Sequence, residues 1–106
     1  MVFLIGSLFM NARKIEDRTT QEVEEVIEQL RTAASDIAGY IGANDAANTL
    51  QPGEETNLTE VVRGLSKQIA ALKLGLIERS VDSRALAHAI KGARFSVGRV
   101  AEYLNQ

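Results

Sequence analysis

Residues 58–76 read LTEVVRGLSKQIAALKLGL, and their apolar side chains recur at alternating intervals of four and three residues. The positions that carry this pattern are Leu58, Val62, Leu65, Ile69, Leu72 and Leu76. A mean spacing of about 3.5 residues is typical of an α-helix with one apolar stripe, whereas a half-buried strand alternates at every second residue. The segment therefore predicts a helix that packs against other helices.

The same spacing occurs on both sides of this segment. The N-terminal stripe consists of Val23, Ile27, Leu30, Ala34, Ile37 and Ile41. The C-terminal stripe consists of Leu86, Ile90, Ala93, Val97, Val100 and Leu104. Three such stripes predict an all-α fold, an antiparallel bundle of three main helices at about 20–41, 58–79 and 82–104. Because a chain of this size buries only a small core, we expect self-association to complete the bundle.

The ends of the predicted helices follow from capping residues. Thr19 with Glu22 three positions later forms a capping-box pattern, and Gly42 stands where a helix is expected to stop. Residues 42–57 contain the single proline and are expected to form a long loop, either mobile or holding a short turn. Asn57 is expected to cap the second helix.

The second and third stripes are in phase, so residues 58–104 allow two interpretations. The favoured one is a hairpin that breaks near residues 80–82, where polar residues interrupt the stripe and Asp82 is a good N-cap. The alternative is one unbroken helix about 70 Å long.

Length and composition narrow the class of protein. The chain has 106 residues, which predicts a single helical-bundle domain at 16–106 preceded by an apolar segment at 1–15. It has no cysteine and one histidine, so zinc-thiolate sites and thiol catalysis are excluded, and neither a metal nor a cofactor is expected. Glu24 and Glu28 lie off the apolar stripe, as on a solvated helix face. Without a phosphate-binding loop or a nucleophile with its base, the sequence predicts no enzymatic activity.

The apolar segment near the N-terminus reads VFLIGSLFM over residues 2–10. A membrane-spanning helix needs roughly 20 apolar residues, so no transmembrane span is expected and we predict a cytoplasmic protein. Arg13 and Lys14 follow the segment, whereas a signal peptide has its basic residues first. Three interpretations stay open: a segment that docks on the bundle or on a neighbour, an extension upstream of a natural start at Met10, or a membrane-touching or shortened anchor.

Charge is distributed unevenly along the chain. Residues 16–60 hold eleven acids and two bases, a net charge of −9, whereas residues 61–106 hold eight bases and three acids, a net charge of +5. Either the acidic and basic parts pack against each other within one molecule or a dimer, or the basic part faces an anionic partner.

One cluster in the third stripe carries a recognisable motif. Residues 88–98 read HAIKGARFSVG, with a lysine three positions and glycines four and ten positions after the histidine. Together with residues 81–87, this pattern resembles the phospho-accepting helix of histidine-phosphotransfer domains. The resemblance implies that His88 is a phospho-acceptor, supported by Lys91 and Gly92, and that a receiver domain is a partner.

The heptad frame agrees with that role, because it places His88 at the most exposed position of the helix. Lys91 would offset phosphate charge, and Gly92 would leave room for the receiver. Arg94 and Phe95 stand where the family has small residues.

The alternative is that His88 is an ordinary surface histidine, that Gly92 permits a close helix approach and that Gly98 bends or ends the helix.

The sequence as a whole favours a small non-catalytic helical bundle that acts through protein–protein contact and forms a homo-oligomer, most simply a dimer. The residues expected to bind a partner are Phe95, Arg94 and Arg99. With Arg84 and Lys91, these arginines also give the third helix a basic side. Nucleic acid is nevertheless not expected as a partner, because the sequence pI is about 5.4.

Overall fold

The computed structural model describes the backbone of residues 2–77 and 83–106 and the side chains of residues 19–76 and 84–106. It contains helix α1 over Val2–Ala46, helix α2 over Glu54–Ile77 and helix α3 over Ser83–Leu104. The predicted all-α bundle of three helices is therefore confirmed, and the described residues contain no strand. No helix in the described part of the chain is long and apolar enough to cross a membrane.

The apolar stripes face inward and form one core. Its buried members are Val23, Val26, Ile27, Leu30, Ala33, Ile37, Leu58, Leu65, Leu72, Ile90, Ala93 and Val100. The other stripe positions are partly buried against them. Among the described residues no polar or charged side chain is buried, so removal of apolar surface from water is what holds the helices together.

The helices run up, down and up. Tyr40 near the end of α1, Glu54 at the start of α2 and Tyr103 near the end of α3 meet at one end of the bundle, where both tyrosine hydroxyls donate to the Glu54 carboxylate. One continuous helix would hold Glu54 and Tyr103 about 70 Å apart, so the hairpin interpretation is confirmed and the unbroken helix is wrong. The predicted break at residues 80–82 and the cap at Asp82 lie outside the described residues.

The predicted start of the first helix is wrong. Because α1 begins at Val2, Thr19 and Glu22 lie inside it and form no capping box, and the segment predicted at 1–15 belongs to α1 from residue 2 onward. The physical reason is that residues 11–18, NARKIEDR, contain no glycine or proline and consist largely of good helix formers. No residue of that run therefore interrupts the helix before Thr19.

The predicted stop at Gly42 is also wrong, because α1 continues to Ala46. A single interior glycine weakens a helix by only about 1 kcal/mol, which the alanines at 43 and 46 help to offset. The stop comes from Asn48, which adopts a left-handed conformation with φ of 58°. The Thr49 N–H donates to the Asn44 carbonyl at 2.8 Å and the Asn48 N–H to the Asp45 carbonyl at 3.1 Å, a Schellman motif.

The connection is shorter than the loop predicted at 42–57, since α2 begins at Glu54. Gln51, Pro52, Gly53 and Glu54 form a type II turn, with Gly53 at φ of 80° and the Glu54 N–H bonded to the Gln51 carbonyl at 3.0 Å. Glycine suits this positive φ, and proline presets the position before it. Asn57 therefore lies inside the helix and not at its cap.

The first helix is much longer than the other two. It has 45 residues against 24 in α2, and the molecule measures 70 × 21 × 18 Å. Because Tyr40 is level with Glu54, the end of α2 comes level with about residue 17 of α1. Residues 2–16, which we call the N-terminal arm, extend beyond the end of α2.

Candidate functional site

An open groove of about 810 Å³ lies between α2 and α3. Its apolar lining consists of Ile37, Pro52, Leu58, Val61, Leu65 and Val100. Four of these residues belong to the core, so the groove opens onto the interior of the bundle. Val61 is 39% exposed although it is a large apolar residue, which shows that α2 and α3 leave part of their facing surfaces uncovered.

Small side chains on the facing flanks keep the groove open. Gly64 lines it from α2, and a Cβ added there would meet no atom within 4 Å. Ser96 lines it from α3, but its hydroxyl donates to the Gly92 carbonyl at 3.1 Å and so is engaged with its own helix. Neither residue supplies the volume that would bridge the two helices.

The rim of the groove on α3 carries a cation and an aromatic ring. Arg99 lines the groove, and its guanidinium carbon lies 5.9 Å from the centre of the Phe95 ring one turn earlier. Phe95 is 67% exposed, the most exposed of the large apolar side chains in the described residues. A ring and a guanidinium held together in this way form an amphipathic edge of the kind enriched at protein interfaces.

One end of the groove is closed by a cluster that we call the tyrosine clasp, formed by Tyr40, Glu54 and Tyr103. The Tyr40 hydroxyl donates to Glu54 Oε2 at 2.9 Å, and the Tyr103 hydroxyl donates to the same oxygen. The Gln51 backbone N–H donates to Glu54 Oε1 at 2.8 Å. The two rings pack edge to face with their centres 5.7 Å apart. One carboxylate thus joins all three helices.

These hydrogen bonds shift the protonation of the clasp. The bonds from Tyr103, the Gln51 N–H and Tyr40 lower the pKa of Glu54, because each favours the charged carboxylate. The same carboxylate, followed by burial, raises the pKa of Tyr103 and that of Tyr40. Glu54 is therefore ionised and acts only as an acceptor at neutral pH, which is a structural role and not that of a proton donor.

The predicted phospho-acceptor residues occupy one exposed part of α3. His88, Lys91 and Gly92 are all exposed, as the heptad frame predicted for His88. His88 precedes Arg99 by about three helical turns, so the two residues lie on the same face of α3. A Cβ at Gly92 would meet no atom within 4 Å, and α3 continues through Gly98 to Leu104. No helix therefore approaches Gly92 closely within the described bundle, and Gly98 does not end α3.

The predicted partner-binding set is divided between two sides of α3. Arg99 lines the groove with Phe95 beside it, whereas Arg94 points to α1 and its Nη2 lies 2.9 Å from Glu22 Oε1. This ion pair joins the acidic first helix to the basic third helix. The predicted packing of the two charged parts is confirmed for this contact.

A second, smaller depression of about 410 Å³ lies between α1 and α3. Glu25, Glu28 and Asp36 stand along its α1 edge, with Val97 and Leu104 on the α3 side. Glu24 and Glu28 are exposed, as predicted for a solvated helix face. In the described residues no group of three His, Cys, Asp or Glu side chains is placed to hold a metal ion.

Sequence reasoning missed the residues that shape the groove. The loop predicted at 42–57 includes Glu54, Val61 lies beside the apolar stripe and Gly64 belongs to no motif. The turn residues before Glu54 signal a helix start, but only the folded structure brings Glu54 to Tyr40 and Tyr103.

The chain was also compared with known proteins. No family model, curated protein or solved structure matches it significantly.

Proposed function

We propose that this protein is a non-catalytic helical bundle of the cytoplasm that acts by protein–protein contact, first of all with a second copy of itself, through the groove between α2 and α3. The observation that carries the proposal is the uncovered apolar lining of the groove, with Val61 39% exposed above a floor that belongs to the core. Apolar surface of this kind favours a protein partner over water.

The shape and polarity of the groove fit a helix as its occupant. It is a trough between two antiparallel helices, which is where a further helix packs in a four-helix bundle. Its lining also includes the polar residues Arg99, Gln68 and Asn57, whose side chains offer hydrogen-bonding groups to a partner. The closed end is formed by Tyr103 and Glu54, whose polar groups already bond to each other.

Two exposed apolar residues of α2 provide a matched test. Val61 lines the groove, whereas Leu74 is 54% exposed and does not line it. We expect Val61→Asp to raise the dissociation constant of self-association at least tenfold, because it places a charge in the interface, and Leu74→Asp to leave it unchanged. Sedimentation equilibrium over a range of concentrations measures both, with circular dichroism to verify that each variant is helical.

Two results would overturn this function. One is an unmodified chain that sediments at 11.5 kDa at every concentration, which would remove self-association. The other is an equal effect of Val61→Asp and Leu74→Asp, which would show that the groove is not the contact surface.

A second candidate function is phosphotransfer through His88. It is favoured by the exposure of His88, Lys91 and Gly92 on one helix and by the open space beside Gly92. An imidazole in that position is accessible to the aspartyl phosphate of a receiver domain, and the ammonium of Lys91 would attract the transferred phosphoryl group. Phe95, exposed one heptad further along, stands on the surface that such a receiver would approach.

Incubation with receivers charged by acetyl phosphate tests this candidate, with His88→Gln as the control. We expect an acid-labile label on the unmodified chain and none on His88→Gln. Failure of every receiver to label the chain, or equal labelling of His88→Gln, would remove this candidate while leaving the groove proposal intact.

A further inference from the structure

The N-terminal arm and the groove have matching lengths. The arm, residues 2–16 of α1, spans about 21 Å at the helical rise of 1.5 Å per residue. The groove extends along α2 from Glu54 to Gln68, which is about 21 Å by the same measure. The apolar part of the arm, residues 2–10, spans about 12 Å and so matches the half of the groove that lies toward Gln68.

The arm and the groove also lie at opposite ends of the molecule. The groove begins at the clasp, where α1 ends, whereas the arm is the start of α1 and extends beyond α2. When two copies lie side by side in opposite directions, their α2 helices, which continue past Gln68 to Ile77, come end to end when the first residues of each arm reach the part of the other groove near Val61 and Gly64. The arrangement has a twofold axis, so the two contacts are identical and the assembly closes as a dimer.

The resulting helix directions are those of a four-helix bundle. In the antiparallel pair the arm of one copy runs parallel to α2 of the other and antiparallel to its α1 and α3. The dimer thus contains two such bundles, one at each end, and each has three helices from one copy and the arm from the other. This supplies the fourth helix for which the groove has space.

The composition of the arm agrees with an apolar destination. Residues 2–10 read VFLIGSLFM, and apart from one glycine and one serine they are all hydrophobic. The groove is lined in part by valine, leucine and isoleucine, and removal of both apolar surfaces from water is favourable. Residues 11–16, NARKIE, are mostly polar, so the part of the arm that needs a cover is residues 2–10, and the groove of the same protein provides one.

We infer that the groove between α2 and α3 is occupied by the N-terminal arm of a second copy of the chain, in a closed antiparallel dimer. This inference rests on the proposed function, since it requires self-association through the groove, and it goes further by naming the segment that binds.

Removal of residues 1–9, so that the chain starts at Met10, tests the role of the arm. We expect the shortened chain to be helical and to dimerise at least tenfold more weakly than the full chain in sedimentation equilibrium. If it dimerises as strongly as the full chain and remains sensitive to Val61→Asp, the inference is overturned while the proposed function stands. If the full chain itself is a monomer at every concentration, both fail.

Disulfide cross-linking gives an independent test that needs no truncation, because the chain has no cysteine of its own. Gly64→Cys places a thiol in the groove at a position with free space, and single cysteines are placed at residues 2–16 in turn. We expect covalent dimers whose yield rises and falls with helical periodicity along the arm. Gly39→Cys, which has equal free space on α1 but does not line the groove, serves as the control.

Two cross-linking or binding results would contradict the inference. One is a yield with Gly64→Cys that is no greater than that with Gly39→Cys at every arm position. The other is a full chain that stays monomeric and sediments with vesicles of phosphatidylcholine and phosphatidylglycerol only while it retains residues 1–9, which would assign the arm to a lipid surface.

Discussion

The contact of α1 with α2 and the contact of α2 with α3 come from stripes of the same period, yet they are packed differently. Leu30, Ile37 and Leu72 are each no more than 1% exposed, whereas Val61 between α2 and α3 is 39% exposed beside an open groove. The difference lies in side-chain volume, because Gly64 and Ser96 stand on the flanks that would have to meet. A stripe therefore determines which residues face inward, and the residues beside it determine whether two helices close.

The largest expected effect on the free energy of unfolding comes from the closely packed contact of α1 with α2. Leu30 is completely buried, so Leu30→Ala should lower the free energy of unfolding by about 2–5 kcal/mol through lost burial and the cavity that remains. Val61→Ala, measured at a concentration where the chain is dissociated, should lower it by less than about 1 kcal/mol. Urea denaturation of both variants provides the comparison, and equal losses would mean that the groove is as well packed as the core.

The next largest effect on stability is expected from the tyrosine clasp, which closes one end of the groove. The pKa of Glu54 lies below its ordinary value of 4.5, first because of the bond from Tyr103. The stabilisation is therefore complete above about pH 4.5 and is lost as the pH falls through the lower pKa of the folded state. Glu54→Gln should unfold at lower urea than the unmodified chain at pH 7, and the two midpoints should converge once the pH falls below the lowered pKa of Glu54.

Glu55→Gln is the control for this prediction, because Glu55 also lies in the first turn of α2 and shares its effect on the helix dipole. A loss of stability as large as that of Glu54→Gln at pH 7 would assign the effect to the helix terminus and not to the clasp. The tyrosines respond in the opposite direction, since their raised pKa means that stability falls as the pH rises above 10.

A smaller effect, on the dissociation constant of the dimer, distinguishes Gly64 in the groove from Gly39 on α1. Gly64 and Gly39 both lie inside helices with free space around them, so alanine at either position should stabilise the dissociated chain by about 0.5–1 kcal/mol. Only Gly64→Ala should also change the dissociation constant of the dimer, because only Gly64 lines the groove. Urea denaturation with sedimentation checks both statements, and a destabilising Gly64→Ala would contradict the free space.

The smallest effect is expected at the ion pair between α1 and α3. The Glu22 and Arg94 side chains are 40% and 55% exposed, so a double-mutant cycle with alanine should give a coupling of only about 0.2–0.5 kcal/mol. The coupling should vanish in 1 M salt, where the screening length is about 3 Å. A coupling that persists in salt would mean that the contact between α1 and α3 is more enclosed than the structure shows.

The hairpin is favoured by the polar residues near 80–82, which interrupt two stripes that are in phase. Sequence periodicity itself was sufficient for the helical class and the inward residues, because these depend on the spacing of apolar side chains. It failed at helix ends, where a pattern such as Thr19 with Glu22 also occurs inside a helix if the preceding residues favour helix. Periodicity did not predict the groove or the clasp, because Val61 and Gly64 acquire their role only when α3 lies opposite them. His88 and Phe95 were placed correctly on the surface, because exposure follows from the heptad frame alone.

Thiol labelling of Val61→Cys and Leu74→Cys, each the sole cysteine of its chain, tests most directly whether the groove is the surface that a partner covers. At low protein concentration both thiols should react readily, since both positions are exposed. As concentration rises, the account predicts that the thiol at position 61 becomes protected while the thiol at position 74 continues to react at the same rate. Equal rates for both thiols at every concentration would contradict it.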